Sequence, residues 1–236
     1  MLRILICLIL FISFGVSGLS QSLDVSFNYS VTYQIPSLKR NTVDTLEVKM
    51  DKEGHYLYTE SNSLGLDFAT SVFSSPTLDL SSATSSILLD TKRMIIYFNF
   101  EIENNVMFFK MDLDKILPNV SDTPSEDMNL ISEKLSNKLS IDNSNYDAYL
   151  IYPESEPENP LTVAIDSKRP VDNVSTIGEF FKMMLRKSNS EGDFNLDIPD
   201  GLIVSIKNGD EVLLEAIQIK DEVTKINIHH SFKITE

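Results

Sequence analysis

The sequence predicts a mainly β, α+β protein: a curved antiparallel sheet or half-barrel covered by about two helices. Three observations predict it. Val25, Phe27, Tyr29, Val31, Tyr33 and Ile35 alternate with polar residues, the period-two signature of a strand with one dry and one wet face. The same alternation returns in blocks joined by short polar turns, such as Lys52-Glu53-Gly54 and Asn208-Gly209-Asp210, so sequential strands run antiparallel. Helical spacing appears in only two stretches, too few to supply the crossovers of a parallel sheet.

The first element in chain order is a leader. Arg3 precedes an unbroken apolar run from Ile4 to Ile12, and small residues follow up to Ser20. A basic start, a short apolar core and a small-residue exit make a secretory signal peptide, since crossing a bilayer takes about 20 apolar residues. Gly18 and Ser20 suit a peptidase cut between Ser20 and Gln21. Residues 1–20 are therefore expected to be cleaved and 21–236 to form one β-rich domain, secreted or periplasmic, with no stable transmembrane insertion. Cys7 is the single cysteine, so the expected mature chain has no disulfide, zinc–thiolate site or cysteine nucleophile. An exported domain without disulfides must rely on its apolar core.

The formal net charge is −15, and loss of Arg3 takes it one unit lower. That disfavours nucleic acid, whose phosphates need a basic face, and anionic lipid headgroups, which attract Lys and Arg clusters. Acidity here chiefly means solubility.

After the first strand, Leu46, Val48 and Met50 alternate with charged residues, and His55 to Thr59 completes a hairpin. Residues 61–86 are polar and serine-rich, read as a long loop. Ile87-Leu88-Leu89, the turn Asp90-Thr91-Lys92-Arg93, a strand placing Met94, Ile96, Phe98, Phe100 and Ile102 on one face, and a strand with Met107, Phe109, Met111 and Leu113 together predict a three-stranded meander. Thr123-Pro124-Ser125-Glu126 has the form of a helix start. Met128, Ile131, Leu135 and Leu139 then predict a helix over 124–139. Tyr146 to Tyr152 and Leu161 to Ile165 read as strands around an acidic, proline-punctuated loop. A second helix is predicted from Thr176, with Ile177, Phe180, Phe181, Met184 and Leu185 as its apolar stripe. Strands at 202–206, 212–220 and 226–234 close the chain.

This pattern resembles the lipoprotein-carrier superfamily, the LolA/LolB-like half-barrels, and more specifically exported proteins of unknown function with a DUF4412-type domain. The likeness rests on Leu88-Leu89-Asp90-Thr91-Lys92-Arg93-Met94-Ile95-Ile96-Tyr97-Phe98 with its hairpin, and on Phe180-Phe181, Ile198-Pro199-Asp200-Gly201-Leu202-Ile203 and Thr224-Lys225-Ile226-Asn227-Ile228. The resemblance implies an apolar-ligand cavity between sheet and helices.

Catalytic and metal chemistry finds little support. His229 and His230 are strand neighbours that point to opposite faces. No Gly-x-Ser-x-Gly elbow is present. Asp142 to Asp147 alternates oxygen ligands but lacks the glycine and terminal glutamate of a calcium loop. The Asn28, Asn119 and Asn173 sequons are read as chance occurrences. No catalytic residue, metal ligand or cofactor is expected.

The one suggestive constellation is aromatic and methionine-rich. Met94, Phe98, Phe100, Met107, Phe109 and Met111, with Phe180, Phe181 and Met184 of the second predicted helix, form either a packed core or the lining of a lipid site, for which adaptable methionine is suited. The expectation is a non-enzymatic exported protein that binds a hydrophobic ligand such as a lipid or lipoprotein acyl chain. The alternative is an extracytoplasmic interaction or scaffold domain with a packed core.

Overall fold

The computed structural model describes residues 22–37, 42–60, 84–102, 105–116, 128–179 and 194–229. Their strands are β1 (Ser22–Ser37), β2 (Thr42–Met50), β3 (Tyr56–Glu60), β4 (Thr84–Asp90), β5 (Ile95–Ile102), β6 (Asn105–Asp112), β7 (Met128–Lys134), β8 (Leu139–Ile141), β9 (Ser144–Pro153), β10 (Leu161–Asp166), β11 (Phe194–Leu196), β12 (Leu202–Asn208) and β13 (Glu211–His229). They make one curved, open sheet in the order β11-β7-β9-β10-β12-β13-β1-β2-β3-β4-β5-β6, with β8 paired to β9. The β11–β7 pair is parallel; the other described pairs are antiparallel. The predicted mainly β class and the β4–β5–β6 meander are both present.

The curvature has a visible cause in β13, which is continuous over 19 residues where the pattern predicts two strands. Ile206 faces Leu214 but Lys207 faces Val212, leaving Leu213 over. Thr32 faces Gln218 and Tyr33 faces Ala216, leaving Ile217 over. Asn28 alone opposes Glu222 and Val223. Each bulge bends the strand and re-aims a side chain. Leu213, Ile217 and Val223 are accordingly exposed at 37%, 45% and 71%.

The bends let one sheet bury both of its faces. Cross-strand register puts Met50, Leu57, Leu89 and Ile96 on one face and Lys49, Tyr58, Leu88 and Tyr97 on the other. A first core gathers Val31, Tyr33 and Met50 with Ala164, Leu202, Val204 and Ala216 from the second half of the chain. The second gathers Tyr58, Leu88 and Tyr97 with Val25 and Phe27. Pairing of β1 with β2 begins at Tyr29, so residues 22–27 pair with β13 alone. This two-stranded arm lies over β3 and the meander, with the Phe27 and Tyr58 ring centroids 5.8 Å apart.

The predicted helix over 124–139 is not formed in its described part. Residues 128–134 are strand β7 and Leu139–Ile141 is β8. Asn129, Ser132, Ser136, Asn137 and Ser140 are weak helix formers, and β7 gains ladder partners on both sides, from β9 and β11. Asp142 and Asn143, with φ of 50° and 62°, form the tight β8–β9 hairpin turn, which accounts for the alternating oxygens there. Leu113–Ile116 is a single helical turn, α1.

The second helix, α2 (173–179), begins earlier than predicted. Asp172, not Thr176, caps it: its Oδ1 accepts from Ser175 N at 2.7 Å and its Oδ2 from Ser175 Oγ at 2.6 Å. A buried aspartate or asparagine side chain that bonds backbone groups is a turn device. Backbone bonds tie the chain together at this end of the sheet, the first of them across its two halves. Asp172 N donates to Lys52 O at 3.0 Å, and Thr91 N donates to His55 O at 2.9 Å. Asn173 is 3% exposed and its Nδ2 donates to Pro199 O at 2.7 Å and Gly201 O at 2.8 Å. The nitrogen that glycosylation would modify is therefore already committed.

Candidate functional site

The meander brings most of the predicted aromatic and methionine face together. Phe98 pairs with Phe109, Phe100 with Met107 and Ile96 with Met111, so these positions share one face. The Phe98 ring stacks on Phe100 with centroids 6.0 Å apart and tilts against Phe109 at 6.2 Å. Phe98 and Phe100 are 1% and 0% exposed, while Phe109 and Met111 are half-buried.

Met94 is not on that strand face. It closes the β4–β5 turn with a φ of 52°, and strand geometry starts at Ile95. Its carbonyl accepts from Leu113 N at 2.9 Å and its side chain is buried. A left-handed non-glycine residue is costly; here the backbone bond to Leu113 and the side-chain burial hold it. Phe180, Phe181, Met184, Ser20 and Gln21 lie outside the described residues.

Sequence reasoning overlooked the opposite face of the meander. A recess of about 230 Å³ lies between the β13 arm, at Ile226, Asn227 and Ile228, and the strands beneath it, at Tyr58 of β3, Ser86 of β4, Asn99 and Glu101 of β5 and Val106 of β6. Tyr58 OH donates to Glu60 Oε1 at 2.8 Å. Burial, then this carboxylate, push the phenol well above its ordinary pKa. Asn99 Oδ1 is buried with no hydrogen-bond partner among the described residues. The available signal was an asparagine between Phe98 and Phe100 in an otherwise aromatic and aliphatic strand.

A second recess, about 270 Å³, lies between the β8–β9 hairpin and the bent middle of β13, with Arg169 at its border. Arg169 Nε and NH2 each donate to Asp221 at 2.6 Å, and NH1 donates to Asp166. The Asp221 carboxyl is consequently held below its ordinary pKa. The guanidinium is thus already saturated with carboxylates rather than directed at a ligand. Asp51 is buried at the β2–β3 turn, where burial pushes its pKa up against the bonds it accepts from backbone N–H groups. Among the described residues, no group of three or more His, Cys, Asp or Glu is arranged to hold a metal ion. No described helix is long and apolar enough to cross a membrane.

Comparison with known proteins adds little to this geometry. No family model matches the chain, and no curated protein matches it. Among solved structures it is similar to PNGF-II, solved in the P21 space group, at 10% identity and a TM-score of 0.33; the match covers 86% of this chain. The chain spans 29% of the length of that structure.

Proposed function

We propose that the protein is an exported, non-enzymatic interaction module with a packed core, which offers its acidic surface to an extracytoplasmic partner. The observation that carries this reading is the burial of Phe98 and Phe100 at 1% and 0% exposure. The protein's own atoms already fill the centre of the face that an acyl chain would use. The leader-like segment 1–20 supports export. The second reading is a half-barrel carrier of a hydrophobic ligand, related to the lipoprotein carriers; the half-buried Phe109 and Met111 on a curved, open sheet favour it.

One titration separates them. Delipidated protein comprising 21–236 is titrated with labelled fatty acid and phospholipid. A packed core gives no saturable binding. Saturable binding that weakens in Phe109→Ala and Met111→Ala overturns the interaction module and establishes the carrier.

A further inference from the structure

We propose that Asn208 is a site of spontaneous deamidation, at which the β12–β13 hairpin converts a side-chain amide into a carboxylate, in part through an isoaspartyl linkage. This goes beyond the interaction module and stands on the hairpin alone. Asn208 is the one asparagine of the chain that a glycine follows. It ends β12 opposite Glu211, so that Gly209 and Asp210 make a two-residue turn. Asn208, Gly209 and Asp210 are all exposed. The Gly209 N–H makes no backbone hydrogen bond among the described residues, and the Asn208 side chain has no partner among them. Gly209 has a φ of 58°, and a Cβ there would meet nothing within 4 Å. The reactive nitrogen and its target amide are therefore adjacent, uncovered and unbonded.

The reaction needs only water. The Gly209 nitrogen gives up its proton to solvent and attacks Asn208 Cγ. The new N–C bond closes a succinimide ring as the Cγ–Nδ2 bond breaks, and the leaving nitrogen takes a proton and departs as ammonia. Water then opens the ring at one of its carbonyls, with no change of oxidation state. Attack at Cγ restores the ordinary chain with aspartate at position 208; attack at the main-chain carbonyl leaves Gly209 joined through Cγ, the isoaspartyl link. Glycine favours ring closure because it has no Cβ to crowd the attack and its backbone turns freely. The same chain holds two controls. Asp200-Gly201 has the atoms for the same ring, with water leaving, but Gly201 N donates to Val171 O at 2.9 Å and a Cβ there would lie 2.5 Å from Ile165 Cγ2. Asn143 stands in an exposed turn, but Ser144 follows it and sets a side chain beside the attacking nitrogen. The isoaspartyl product lengthens the backbone of a turn whose length fixes strand register, beside the bulge at Leu213.

The test is incubation of the folded 21–236 protein in warm, mildly alkaline buffer, with intact mass, isoelectric focusing and acid-protease peptide mapping at intervals. A blocked peptide of residues 205–212 in the same buffer sets the timescale. The protein is expected to gain about one mass unit and one negative charge per chain, both mapped to Asn208, and faster as pH rises because the attacking nitrogen must lose its proton. In heavy-oxygen water the new carboxyl carries the label, and an isoaspartyl methyltransferase labels the same peptide. Asn143 is expected to react more slowly and Asp200 not at all. Asn208→Gln, whose longer side chain would have to close a larger ring, is expected to abolish the change with circular dichroism and melting temperature unaltered. No gain at Asn208 by the time the peptide is fully converted, an undiminished gain in Asn208→Gln, faster reaction at Asn143, or a new carboxyl without the heavy-oxygen label overturns the proposal. Fatty-acid binding in the separate lipid titration leaves this outcome untouched, so the two readings fail independently.

Discussion

Replacing Arg169 with alanine is expected to cost about 3 kcal/mol, and the figure can be assembled from its surroundings. Its fork to Asp221 is the larger cause of the raised guanidinium pKa. Asp221 is 58% exposed, however, and exposed pairs contribute only about 0.5–1 kcal/mol. Asp166 is 7% exposed, and without the cation it keeps one bond, accepted from Lys168 N at 3.1 Å. A buried carboxylate stripped of its partner costs about 2–3 kcal/mol. The less perturbing contact is therefore the more stabilising one.

Urea unfolding of the 21–236 protein followed by circular dichroism reads this out. At a slope of about 2 kcal/mol per molar urea, the midpoint falls by about 1.5 M in Arg169→Ala, with Asp221→Asn moving it by less than about 0.5 M. A pH series adds a sign. The Asp221 carboxyl is depressed in the folded protein, so its contribution is complete above its unfolded value and is lost as pH falls through the folded one. Arg169→Ala should flatten that acid limb. An Arg169→Ala midpoint within about 0.3 M of the parent would refute the reasoning, as would equal losses in the two variants.

Three further outcomes are expected. Gly54 has a φ of 67°, and a Cβ there would overlap Asp172 O and Thr176 Oγ1; Gly54→Ala should lower stability by about 3 kcal/mol or more, measured as a fall in melting temperature. Asn173→Ala should cost about 2–4 kcal/mol in urea unfolding by stripping the Pro199 and Gly201 carbonyls of their donor, with Asn173→Asp worse because it sets an acceptor against them. Asp51 has a raised folded pKa, so its ionisation opposes folding as pH rises through that value; Asp51→Asn should raise the melting temperature at pH 7, with the gain gone below the carboxyl's ordinary pKa of 3.8.

What the sequence made legible follows the range of the forces involved. Alternation in Val25 to Ile35 is local, and β1 follows it. The meander was legible for the same reason, because Phe98, Phe100, Phe109 and Met111 announce one face and the intervening turn is short. The helix over 124–139 failed where the evidence was a coincidence of spacing: Met128, Ile131 and Leu135 fit a helical stripe, but Asn129 and Ser132 offer no propensity, and the ladder to β9 and β11 decides. The long-range features left no comparable mark. Leu213 and Ile217 read as members of one ordinary alternating strand and Val223 as lying between two, and only pairing to β1 and β12 turns each into a bulge. Those bulges, not an inserted helix, bring the β13 arm back over Tyr58 and Tyr97 and so create the recess. Its polar wall residues Ser86, Asn99 and Glu101 were written in the sequence. Their meeting with Ile226 and Ile228 depended on a strand more than one hundred residues away.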